Sequence, residues 1–96
     1  MTQTFNFGNG PVPAHRHPNG GGWVADTADV ADTAYVGPKA RVSGDARVYD
    51  EARISGNAWV CGNAQVFGNA QVFGNAQVFG DVWVYDEANI FGGTYT

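Results

Sequence analysis

The chain holds few of the residues that do chemistry. It has one cysteine, Cys61, and two histidines, His15 and His17, among 96 residues. A single cysteine forms no internal disulfide, so Cys61 reads as a small residue in a reducing compartment. No histidine stands near it to make it a nucleophile. Positive charge is also scarce: 5 Lys and Arg face 9 Asp and Glu, for a net charge of −4. That balance argues against a nucleic-acid polymer or an anionic membrane surface as partner. No apolar run approaches the ~18 residues of a membrane span. The opening MTQTFNFGNG lacks the charged-then-apolar pattern of a secretion signal. The expected setting is therefore the cytoplasm, and the length sets one small domain.

What the sequence has is a period. Every sixth residue from Val24 to Ile90 is a β-branched aliphatic, 12 positions without an insertion. The residue two places earlier is Ala at nearly every repeat, from Ala28 to Ala88, with Val82 the exception. In an extended segment these two positions share a face, so a small and a branched side chain point inward together. The residues that follow are Gly-Asn, Gly-Asp, Asp-Glu, Asp-Thr or Pro-Lys, which are turn formers. Each unit is thus a very short strand and a corner. The stretch 61–80, CGNAQVFGNAQVFGNAQVFG, repeats F-G-N-A-Q-V almost without variation. A fixed period takes precedence over local propensity in fixing the fold.

Aliphatic residues every sixth place, Ala two before them and turn residues between resemble the hexapeptide repeat of left-handed parallel β-helices. The resemblance covers residues 23–95. It implies an all-β triangular prism of about four 18-residue coils, with residues 1–22 as an irregular head and 23–96 as the β-helix. Residue n would stack on n+18. Trp23, Arg41, Trp59, Gln77 and Tyr95 would form one outward ladder, with Arg41 in a cation–π sandwich between two indoles. Asp29 would meet Arg47. Asn63 would separate Asp45 from Asp81, and Asn69 would separate Glu51 from Glu87. The two YDEA stretches, 49–52 and 85–88, lie two whole coils apart.

The outward position after each aliphatic is small early in the chain and aromatic late. Phe67, Phe73, Phe79, Tyr85 and Phe91 occupy it, and Trp83 and Tyr95 join them. Contiguous exposed rings of this kind mark an interface. The expected partner is the protein itself, as a trimer or stacked dimer.

The head differs. Pro11, Pro13 and Pro18 speak against a helix and a regular ladder there. His15, Arg16, His17, Asn19, Gly20, Gly21, Gly22 and Trp23 form the polar cluster that the repeat does not require. Arg offers a fork for phosphate, His can donate hydrogen bonds, glycine N–H groups can form an anion nest, and Trp23 could stack on a base. The functional expectation is a non-enzymatic oligomeric protein holding a small anionic ligand such as a nucleotide. The alternative is a structural module that assembles through its aromatic coils, or a cap role for the head. No metal or cofactor is expected, because a His-x-His pair without further ligands falls short of a metal site. Asp32, Asp50, Glu51, Asp86 and Glu87 read as a solvated corner rather than a cation site. Arg41, Arg47 and Arg53 fall on three different faces.

Hexapeptide-repeat acyltransferases resemble the coil but carry a catalytic His in a coil or loop, and residues 24–90 contain none. The γ-type carbonic anhydrases need three His, one more than this chain has. The GNGPVPAHRHPNGGGWVADTA head before repeats looks similar to small proteins of tailed phages and prophages. That likeness identifies no activity; it implies a non-enzymatic role in a bacterial host cytoplasm, where such a protein could sequester a host signalling nucleotide.

Overall fold

The computed structural model describes residues 4–6 and 10–95, so residues 1–3 and 7–9 of the expected head, and Thr96, lie outside the described residues. All regular elements among the described residues are strands. One sheet begins with β1 (Thr4–Asn6), β2 (Pro11–Arg16) and β3 (Trp23–Ala25). It continues through β6 (Arg41–Val42), β9 (Trp59–Val60), β12 (Gln77–Val78) and β15 (Thr94–Tyr95). A second sheet stacks β4 (Asp29–Val30), β7 (Arg47–Val48), β10 (Gln65–Val66) and β13 (Trp83–Val84). The third stacks β5 (Tyr35–Val36), β8 (Arg53–Ile54), β11 (Gln71–Val72) and β14 (Asn89–Ile90). From β3 onward all pairs are parallel, and consecutive strands fall on consecutive faces. The protein is a β-solenoid of about four coils.

Register and core follow the period. Gln65 pairs with Trp83 above and Arg47 below, an 18-residue step each way. Val36, Val42, Val48, Ile54, Val60, Val66, Val72 and Val78 are fully buried, as are the alanines two places before them. Fully burying a Val or Ile side chain stabilises by roughly 1.5–3 kcal/mol. A larger residue at the alanine row would overfill the prism, since interiors are packed to crystal-like density. Arg41, Arg47 and Arg53 stand on the three separate sheets, as expected.

The corners need left-handed backbone. Gly44, Gly62 and Gly80 have φ of 66°, 68° and 77° and stack on one another. A Cβ on Gly44 would lie 2.8 Å from the Gly62 nitrogen. A second corner carries Asp50 and Asp86 at φ 60° and 57°, with Gly68 between them. Asp tolerates this region better than most residues, and the Asp50 carboxylate accepts the Gly68 N–H at 3.2 Å.

Two expectations need correction. First, the last coil is one residue short. Four residues connect β13 to β14, but only 91–93 connect β14 to β15. Gln77 therefore pairs with Thr94, and Tyr95 pairs with Val78 instead of continuing the Gln77 ladder. The two-glycine corner Gly92-Gly93 makes the tighter bend. Second, residues 4–6 and 11–16 of the head form a regular ladder. β1 and β2 form an antiparallel hairpin, and β2 pairs antiparallel with β3. Its prolines fit because of where their missing N–H groups would point. The Pro13 carbonyl accepts from Asp26 N–H, so odd positions of β2 face the β3 side. Pairing with β3 runs over Ala14–Arg16 only, leaving Pro11 and Pro13 past its end.

Candidate functional site

The head's polar cluster is not brought together as one open site. His15 and Asp26 pair at 2.8 Å, both about half exposed. Arg16 lies over the Trp23 ring at 4.7 Å and donates to the Gly21 carbonyl at 3.2 Å. Phe5 stacks on the same indole, 4.9 Å between centroids. Trp23 therefore already carries two partners and does not offer a free base platform. Arg41 also departs from expectation: its guanidinium lies over Phe5 at 5.4 Å. The hairpin brings Phe5 into the place the indole sandwich was expected to fill.

His17 is buried, 3% exposed, with Nε2 2.7 Å from the Ala34 carbonyl. A carbonyl only accepts, so Nε2 carries the proton. The Gly21 N–H donates to His17 O and the Gly22 N–H to Val36 O, while Val36 N–H donates to Asn19 O. Gly20 and Gly22 pack on the first coil. A Cβ at Gly20 would stand 2.2 Å from Val36 O, and one at Gly22 2.3 Å from the Val36 side chain. Close approach to the coil end, not an anion nest, is what the glycine run serves here.

A groove of about 530 Å³ opens beside the hairpin. Val12 and Pro13 line it from the hairpin, and Ala25, Asp26, Ser43 and Trp59 are among the lining residues from the coils. Trp59 Nε1–H donates to Ser43 Oγ at 2.9 Å. Cys61 reaches the same groove, and burial pushes its thiol up from the ordinary value. The sequence reading did not single out this groove. Its one sequence signal is Trp59 at an outward position that the following three coil repeats give to Gln.

The aromatic residues sort into columns. Tyr49, Phe67 and Tyr85 stack at 4.9 and 5.5 Å, with ring planes 3° and 12° apart. Trp83 meets Phe67 edge-on at 6.1 Å. Phe73 and Phe91 stack at 5.9 Å on another corner. Phe67, Phe73 and Phe79 are half-buried. The exposed rings are Trp83 at 60%, Tyr85 at 49%, Phe91 at 69% and Tyr95 at 38%. Aromatic surface is thus concentrated on two corners and on the last coil, rather than spread evenly.

At the acidic corner, Asp50 is engaged by Gly68 N–H, and its carbonyl by the Thr33 hydroxyl. Among the described residues, no group of three His, Cys, Asp or Glu could hold a metal ion. Asp29 and Arg47 pair in register, but the ion pair found among the described residues is His15–Asp26.

Fold and surface together define a β-solenoid repeat protein with a capping hairpin. Residues 40–53, 52–68 and 70–86 match the family model of the YdcK beta solenoid repeat. No curated protein and no solved structure matches the chain.

Proposed function

We propose that this protein is a non-enzymatic self-association module, with the aromatic columns of its C-terminal coils as the contact surface. The carrying observation is the Tyr49–Phe67–Tyr85 stack flanked by Trp83, whose upper members are 49% and 60% exposed. Trp83 and Tyr85, exposed and joined through the half-buried Phe67 ring, make a contiguous apolar patch, and such patches mark interaction surfaces. A second copy is the occupant that fits. The adjoining outward column runs Asp29, Arg47, Gln65, Trp83. A twofold axis at Gln65 sets Trp83 of one protomer opposite the partner's Arg47, a cation–π pairing made twice.

His17 and Cys61 support the non-catalytic reading. His17 is committed to a backbone carbonyl, and burial holds the Cys61 thiol protonated. The head then serves as a cap, and the expected nucleotide role of His15, Arg16 and His17 has little geometric support. The likeness of head and repeats to phage proteins fits a non-catalytic role in a bacterial cytoplasm.

Sedimentation velocity tests this reading. The wild type is expected to run as a dimer or larger at micromolar concentration. The Trp83→Ser, Phe91→Ser double variant should run near 10.2 kDa with an unchanged circular dichroism spectrum. A wild-type monomer at those concentrations overturns it.

A further inference from the structure

We propose that the groove between the hairpin and the first corner column binds a small planar aromatic ring that carries an alkylammonium group. The site is separate from the aromatic columns, and the inference does not depend on self-association.

Three observations carry it. The groove holds about 530 Å³, which is room for a bicyclic ring, and Trp59, Val12, Pro13 and Ala25 give it apolar walls. Its polar groups are few and placed. Ser43 is 7% exposed and its Oγ accepts from Trp59 Nε1, which leaves its own hydrogen free to donate inward. Asp26 uses Oδ1 toward His15 and leaves Oδ2 for a second donor. No Lys, Arg or His is among the groove-lining residues described; the charged group on the lining is the Asp26 carboxylate, which His15 holds through Oδ1 from outside the groove while Oδ2 stays open. A cation is attracted to that carboxylate and an anion is repelled. An ammonium beside an indole also gains a cation–π contact. This is the opposite ligand charge from the one the head sequence suggests, because the cationic Arg16 is turned away onto Trp23.

Geometry makes the groove a product of two distant segments. Val12 and Pro13 come from the hairpin, and Ser43 and Trp59 from the second and third coils. The antiparallel register of β2 on β3 places Pro13 next to the Ala25–Asp26 side of the groove. The small side chains Ala25 and Ser43 keep the floor open where Phe79 fills the equivalent position of a later coil.

The test uses the intact protein and two probes with the same ring. Tryptamine carries a cation and indole-3-acetate an anion. The readout is the Trp59 indole N–H signal in a proton–nitrogen spectrum, assigned with Trp59→Phe. Tryptamine is expected to move it saturably, with a dissociation constant on the order of 1 mM or tighter. Indole-3-acetate should bind roughly tenfold more weakly, and Asp26→Asn should erase that difference. Asp26 is exposed, so this variant leaves the core intact. A Trp59 signal unmoved by tryptamine, or a shift confined to the exposed Trp83, overturns the site. Equal affinity for both probes, or a difference that survives Asp26→Asn, overturns the choice of an amine.

Discussion

The His17 imidazole donates through Nε2–H to the Ala34 carbonyl at 2.7 Å, and in doing so it substitutes for a missing coil. Higher in the solenoid the carbonyl at this position is paired by a backbone N–H from the coil below: Ala52 O by Tyr35 N and Ala70 O by Arg53 N. Below Ala34 there is no further coil among the described residues. The side chain of His17 and the backbone of Asn19 and Gly22 take over the bonds of this strand edge. Covering an edge in this way blocks further strand addition.

Replacing His17 therefore acts on stability. His17→Phe keeps an aromatic ring but leaves the Ala34 carbonyl unpaired in a buried place. The expected loss is about 1–3 kcal/mol, read as a lower urea midpoint with little change in m-value. His15→Phe, at an exposed position, should cost far less. Equal losses at the two positions contradict the capping role.

The corners make a paired prediction of opposite sign. Gly44→Ala forces a Cβ into the left-handed region and toward the Gly62 nitrogen 2.8 Å away. It should destabilise by about 1–2 kcal/mol or more. Asp86→Gly relieves a side chain held at φ 57° and should be neutral or stabilising by a few tenths of a kcal/mol. Thermal unfolding of the two variants checks both signs.

The repeat itself can be shortened. Deleting residues 65–82 removes 18 residues and joins Ala64 to Trp83, which occupies the same register position as Gln65. Because each coil contacts its neighbours only, the shorter chain is expected to fold with the same spectrum and lower stability. Its urea m-value should fall by roughly a fifth, in step with the area buried. A deletion of 15 residues from the same stretch should not fold, since it breaks the inward row.

Cys61 gives a pH prediction. Burial raises its thiol from the ordinary value of 9.0, so the folded state holds the proton where the unfolded state loses it. Its contribution to stability is fully present below the ordinary thiol pKa and is lost as pH rises through the folded value. Alkylation by iodoacetamide at neutral pH should be slower than for free cysteine, and should accelerate as pH rises past the thiol range. Rapid labelling at neutral pH contradicts this.

Most of the scaffold was legible in the residues. A branched aliphatic every sixth place, with Ala two before it, permits only an arrangement in which both rows face one interior. The 18-residue register, three faces per coil, is what the resemblance to left-handed parallel β-helices implied, and Asp29 on Arg47 and Gln65 on Trp83 agree with it. Periodicity carries no information where it stops. The short corner at 91–93 shifts the last strand by one residue, and a single count of six could not show it. The head has no period at all. Whether Pro11 and Pro13 could lie in a strand depended on which side β3 approached, and the burial of His17 depended on where the chain crossed the coil end. Arg16 and Trp23, read as ligand groups from their chemistry, were claimed by each other and by Phe5 once the hairpin folded over. The sequence by itself determined the short strands, their inward core rows and most of the outward columns, because those rest on contacts repeated at one fixed spacing. The tertiary structure alone decided the cap, the groove and the fate of each head side chain, because those contacts join segments that no spacing relates.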